Sequence, residues 1–238
     1  MLSEKPWKPE AVVMLGAGIL LSLAAGVLLG QLLGYLMASR AMPSRTFYNF
    51  LISTLSFQGA VPFLLHSFLR YHQVGWREFF GLAAARPKRV LLLAAIAGAL
   101  VVPMALSLNW VAQWLMTALH LKPVEQDTIR VLQVSVGWGQ RLCFGVTAIL
   151  VAPVVEESLF RGILYPLIKQ RGYPTLALLG TSLLFAAIHR NAMTFVPLTL
   201  LGMVLALLYE LTDTLLAPII THAIFNAVNF SIFILSSP

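Results

Sequence analysis

Seven apolar runs divide this chain, most of them long enough to cross a bilayer, and they leave little for a water-soluble fold to use. A helix needs about 20 apolar residues to span ~30 Å of hydrocarbon. The runs go from Ala11 to Met37, Phe47 to Leu69, Val90 to Leu119, Arg141 to Ile168, Pro174 to His189, Met193 to Tyr209 and Leu215 to Leu235. The fifth and sixth are near the lower length limit. The first is too long for a signal-peptide core and no cleavage site follows it cleanly, so it reads as a retained helix. Pro103 in the third run predicts a kink. In lipid, every backbone N–H and C=O needs an internal partner, and runs of this kind meet that demand as helices.

Composition agrees. Hydrophobic residues make up 59% of the chain and charged residues 11%, against about 45–50% and ~25% in soluble domains. This excludes an ordinary cytosolic enzyme, a disordered protein and a nucleic-acid-binding domain. The net charge of +7 does not restore the last of these. Its Lys and Arg residues sit between apolar runs, as in membrane loops. The single cysteine, Cys143, excludes an intrachain disulfide and a Cys-only zinc site.

Two connectors are not plain loops. Gly75 to Leu82 sets aromatics beside charges and reads as interfacial. Lys122 to Gln140 mixes Glu125, Asp127 and Arg130 with Val and Leu, and reads as a surface helix. No internal repeat is present. The expectation is an all-α polytopic membrane protein, about seven transmembrane helices (six to eight), forming one domain over residues 1–238. With seven spans, the N-terminal side carries nine Lys and Arg residues and the other side six. That bias places the N-terminus in the cytoplasm.

The fourth run differs from the rest, because it holds Glu156, Glu157 and Arg161. One charge at a helix centre costs about 2.5–3.5 kcal/mol on insertion scales, against a total domain stability of roughly 5–15 kcal/mol. These groups therefore need a polar interior and partners. Glu157 and Arg161 are spaced i, i+4 with Glu on the N-terminal side, the favourable order. Taken alone they read as an intramembrane ion pair tying helices together. Glu156 has no cation at i+3 or i+4, so it is free for a general base. Two further pieces lie downstream, Phe185 to His189 (F-A-A-I-H) and His222 to Asn226 (H-A-I-F-N). A lone membrane histidine is most simply an interhelical hydrogen bond. At 1.5 Å per residue, however, Glu156, His189 and His222 stand ~18, ~23 and ~12 Å from the cytoplasmic side, close enough in depth to meet around a polar intramembrane cavity. His66, His72, His120, Glu210 and Asp213 lie at run ends and read as interfacial or solvated groups.

These pieces, in this order, resemble the CPBP family (CAAX proteases and bacteriocin-processing proteins, also called Abi) and its type II CAAX prenyl endopeptidase-like members. Its hallmarks E-E-x-x-x-R, F-x-x-x-H and H-x-x-x-N/D stand here as Glu156-Glu157-x-x-x-Arg161, Phe185-x-x-x-His189 and His222-x-x-x-Asn226. In a chain of this composition the first motif alone arises by chance about 0.01 times. The resemblance covers roughly 140–230, the expected catalytic core. It implies an intramembrane endopeptidase acting on a peptide or protein substrate, with or without a lipid anchor, among membrane lipids and without nucleic acid. It implies Glu156, His189, His222 and Asn226 as catalytic residues. Glu156 would activate a water held with His189, His222 and Asn226 would donate to the oxyanion, and Glu157, Arg161 and Phe185 would support them. No cofactor is expected on this reading. The rival within hydrolases is zinc, with Glu156, His189 and His222 as ligands and a water in the fourth position. Outside them stand a non-catalytic membrane scaffold, or bacteriocin-immunity factor, and a proton-coupled transporter. A scaffold needs none of the four polar residues, and a transporter typically shows paired broken helices in an inverted repeat, which is not seen here.

Overall fold

The computed structural model describes residues 2–36, 45–83, 85–120 and 137–236. Among the described residues the regular structure is helical. In chain order the helices are α1 (Pro9–Leu36), α2 (Phe47–Tyr71), the short α3 (Trp76–Phe79), α4 (Pro87–Ala118), α5 (Trp138–Lys169), α6 (Pro174–Ile188), α7 (Ala192–Thr212) and α8 (Leu216–Ser236). Six of them, α1, α2, α4, α5, α7 and α8, are long and apolar enough to cross a membrane. The seven runs are all helices, and the protein is a polytopic helical membrane protein. Most of the surface-helix expectation, residues 122 to 136, lies outside the described residues. Proline opens α1, α4 and α6. It has no N–H to leave unpaired in the first turn and its φ is already helical. Pro103, where a kink is expected, lies inside the continuous α4, with Ser107 Oγ donating to its carbonyl at 2.8 Å.

The residues group into two compact units. One holds residues 6–75 and 127–147. Here α1 packs on α2, and Ser22 Oγ donates to the Ser56 carbonyl at 2.6 Å. Ser56 lies in a wide i→i+5 turn, Leu55–Gly59. Trp7 is buried against the rings of Phe68 and His72, with centroids at 5.1 and 5.2 Å. The Lys8 N–H donates to His72 Nε2 at 3.1 Å, so His72 ties the entry of α1 to the end of α2.

The other unit holds residues 1–5, 76–126 and 148–238, and it carries the three motifs. Its core joins Val101, Val102 and Ala105 of α4 with Phe160, Phe185, Leu201, Leu205 and Phe225 from the four later helices. The expected interfacial segment is in part a plug. Phe79 is 1% exposed, and its ring occupies the place where a Cβ on Gly162 would stand. The Phe80 carbonyl accepts from the Leu215 N–H at 3.1 Å and from Thr214 Oγ1 at 2.8 Å, which caps the start of α8. Gly81 has φ +66° and lies so close to Asp213 that a Cβ would sit 2.3 Å from its carbonyl oxygen, so only glycine fits. Glu210 and Asp213 are not simply solvated. Tyr165 donates to Glu210 at 2.6 Å and Lys169 pairs with the same oxygen. Asp213 accepts from the N–H and Oγ of Ser3, both at 3.0 Å. Sequence order hides these partners because they come from residues 41 to 210 positions away.

Candidate active site

The acidic pair owes its setting to an irregular helix. Within α5, two wide i→i+5 turns, Thr147–Val151 and Phe160–Leu164, bracket an α-helical stretch, Ala152–Leu159. Glu156 and Glu157 stand in that stretch. A proline, Pro153 or Pro166, follows each wide turn by two residues. Such turns absorb the missing N–H of a proline and are frequent at functional sites.

The two adjacent carboxylates are put to different uses. Glu157 is sealed, with no exposure. Its Oε1 accepts from an Arg161 nitrogen at 2.9 Å and from His222 Nδ1 at 2.9 Å. The other terminal nitrogen of Arg161 donates to the Gly202 carbonyl at 2.9 Å. Arg161 is itself fully buried, with its guanidinium carbon 4.9 Å from the centroid of the Phe185 ring. Glu157 is thus the junction between the two ends of the site: a guanidinium from its own helix and an imidazole from α8. The sequence predicts the Glu157–Arg161 pair by spacing. It does not predict His222 on the same oxygen, a contact 65 residues away.

Glu156 lies about 100° round the helix from Glu157 and is 14% exposed. Its Oε2 is 3.9 Å from His222 Nε2. That is beyond hydrogen-bond length and within ion-pair reach. His222 therefore lies between the two glutamates, one at each ring nitrogen.

His189 is the C-terminal cap of α6, one residue past the helix. Fifteen residues at 1.5 Å each give α6 ~23 Å, short of the ~30 Å hydrocarbon core. His189 Nδ1 lies 2.7 Å from the Phe185 carbonyl. A carbonyl only accepts, so Nδ1 carries the proton and Nε2 of the neutral ring is an acceptor. The Phe185 ring sits between the two histidines, with centroids 5.0 Å from His189 and 5.6 Å from His222. This gives Phe185 a plain purpose: it spaces the two imidazoles and covers the Arg161 guanidinium. Asn226, one turn after His222, donates from Nδ2 to the Ala148 carbonyl at 2.8 Å.

Glu156, Glu157, Arg161, Phe185, His189 and His222 thus form one contact network around Phe185 and His222, joined by the Gly202 carbonyl, which the motifs do not name, while Asn226 bonds to a second such group, the Ala148 carbonyl. Gly202 also lacks the Cβ that would press on Ser182 Cα at 3.0 Å, so α6 and α7 approach closely there. A side chain buried against a carbonyl leaves no trace in the sequence. The small residue at 202 is the one available signal. Among the described residues, no three His, Cys, Asp or Glu side chains are grouped to hold a metal ion.

No curated protein and no solved structure matches the chain. Residues 138–228 match a family model described as Type II CAAX prenyl endopeptidase Rce1-like. The match takes in α5 to α8 as far as Asn226 and two residues beyond, so all three motifs fall inside it. The stretch that holds this network is similar to the Rce1-like type II CAAX prenyl endopeptidases.

Proposed function

We propose that the protein is an intramembrane endopeptidase that hydrolyses a peptide bond near the membrane with a water activated by Glu156. The observation that carries this reading is the split between the glutamates. Glu157 is sealed and neutralised by Arg161, while Glu156 remains accessible beside His222. An ion pair that only holds helices together needs the first and has no use for the second.

The chemistry follows from the donors and acceptors. A water between the Glu156 carboxylate and His189 Nε2 gives a proton to Glu156, and its oxygen attacks the scissile carbonyl carbon. The oxyanion so formed takes N–H groups from His222 Nε2 and from Asn226 Nδ2, which has a second hydrogen beyond the one given to Ala148. His222 donates at Nε2 while donating at Nδ1 when its ring carries both hydrogens. Glu156 returns its proton to the leaving nitrogen as the C–N bond breaks.

The test is cleavage in proteoliposomes of a quenched-fluorescent peptide ending in a farnesylated C-a-a-X sequence, beside the same peptide without the lipid. Release of the last three residues from the prenylated peptide alone gives the prenyl endopeptidase. Release from both gives an endopeptidase that does not read the lipid. Release from neither, with no altered C-terminus in membrane proteomics of a deletion strain complemented by wild type or Glu156→Ala, overturns the reading in favour of a scaffold. The reaction is written without a metal. Activity lost to a chelator and restored by zinc would instead make Glu156, His189 and His222 ligands.

The loop charges orient the protein with the N-terminus in the cytoplasm. Reporter tags at the two ends are expected on opposite sides of the membrane. Tags on one side would mean an even number of crossings, with residues 90 to 140 as the place of the error.

A further inference from the structure

The bond between Asn226 and the Ala148 carbonyl has a cause in the sequence of α5. Ala148 lies in the wide turn Thr147–Val151. In an i→i+5 register the partner of its carbonyl is the N–H of residue 153. Residue 153 is proline and has no N–H to give. A half-buried carbonyl at membrane depth without a donor is costly, and here the donor is Asn226 Nδ2 at 2.8 Å, from a helix 78 residues further on.

We infer that Pro153 is a positioning residue for the reaction: by freeing the Ala148 carbonyl it fixes the amide of Asn226. The bond uses one hydrogen of Nδ2 and so settles which end of the amide is the nitrogen. The second hydrogen is then held at a set angle to the first, one helical turn along from His222. Pro153 is buried and touches no part of the proposed reaction directly, but it stands three residues before Glu156 on the same helix. One residue thereby couples the helix of the base to the orientation of an oxyanion donor. The inference deepens the hydrolase reading above and rests on it for its kinetic arm.

The experiment is a double-mutant cycle with the prenylated peptide in proteoliposomes. Asn226→Ala is expected to lower kcat about 10²–10³-fold, the loss typical of one oxyanion donor. Pro153→Ala restores an N–H that competes for the carbonyl, and is expected to lower kcat about tenfold with KM unchanged, the size of one net hydrogen bond. The double variant is expected to be no slower than Asn226→Ala alone. Full activity in Pro153→Ala, or losses that multiply, would overturn the inference. A second readout needs no turnover. In protein labelled with ¹⁵N-asparagine, one side-chain proton of Asn226 is expected to exchange slowly with solvent, and Pro153→Ala to remove that protection. Unchanged protection overturns the inference even if the peptide is not a substrate. An inactive Glu156→Gln beside a fully active Pro153→Ala would reject this inference and leave the hydrolase reading standing.

Discussion

Glu156→Gln is expected to abolish cleavage while leaving expression and thermal unfolding close to those of the wild type. The substitution keeps the volume and a polar tip at a side chain that is 14% exposed and makes no hydrogen bond within the network. It removes the carboxylate that takes the proton from water on the proposed mechanism. General base catalysis contributes about 10²–10⁴-fold, and on the proposed mechanism Glu156 also holds the water, so the expected fall in kcat is at the upper end, ~10⁴-fold. The neighbouring variant sets the contrast. Glu157→Gln takes the charge from between Arg161 and His222, so it is expected to lower both yield and activity. Retained activity in Glu156→Gln would place the base elsewhere, with Glu157 the candidate. If both variants were fully active in the cell, proteolysis would not be the function there.

Arg161→Ala is expected to fail at folding. Among the described residues, Arg161 is the largest side chain with no exposure. Its loss leaves Glu157 buried with only His222, leaves the Gly202 carbonyl without its donor, and opens a void beneath the Phe185 ring. Breaking a buried pair from one side costs about 3–5 kcal/mol. That is a large share of a total of roughly 5–15 kcal/mol. Low yield and an early unfolding transition in detergent, followed by tryptophan fluorescence, are the expected signs. Arg161→Lys is a finer probe. It keeps the charge, but a single ammonium lacks the planar fork that reaches Glu157 and Gly202 together, so partial recovery of stability is expected. A normal yield of Arg161→Ala with activity lost would move Arg161 from the frame into the chemistry.

What the sequence revealed, and what it hid, follows from the range of each interaction. The helices were legible because burial in lipid demands long apolar runs, and the ends of α1, α2 and α4 fall within a few residues of where hydropathy puts them. The Glu157–Arg161 pair was legible because i, i+4 spacing is local. Which glutamate pairs with the imidazole was not. Periodicity puts Glu156 and Glu157 on adjacent faces, and nothing in it says which face meets α8. His222 lies between them, bonded to Glu157 and within ion-pair reach of Glu156. Hydropathy puts the end of the fifth run at His189, and α6 ends one residue before it. The ring stands at a helix terminus, where its own helix supplies the Phe185 carbonyl as partner. The wide turns in α5 were announced only by Pro153 and Pro166, whose missing N–H groups are plain in the sequence but whose consequences depend on which turn precedes them. The plug made by Phe79 was masked by its neighbours Trp76, Arg77 and Glu78, which dominate any reading of that segment as interfacial.

The placement of His222 on Glu157 also bears on how the protein is made. The ribosome releases Glu157 65 residues ahead of the imidazole that shares its Oε1 with Arg161. At about 5–20 residues per second that is a wait of ~3–13 s. Throughout it, the middle of α5, from Thr147 to Leu164, carries Glu156 and Glu157 with Arg161 as its one cation. A helix in that condition is a poor candidate to settle in lipid by itself, since each unpaired charge opposes insertion. It must stay hydrated, or in the shelter of the insertion machinery, until α8 arrives. A chain cut short after α7 would then leave the two glutamates of α5 without the imidazole between them, and that truncation is the form most exposed to membrane quality control. The last helix is thus both part of the site and the step that commits α5 to the bilayer.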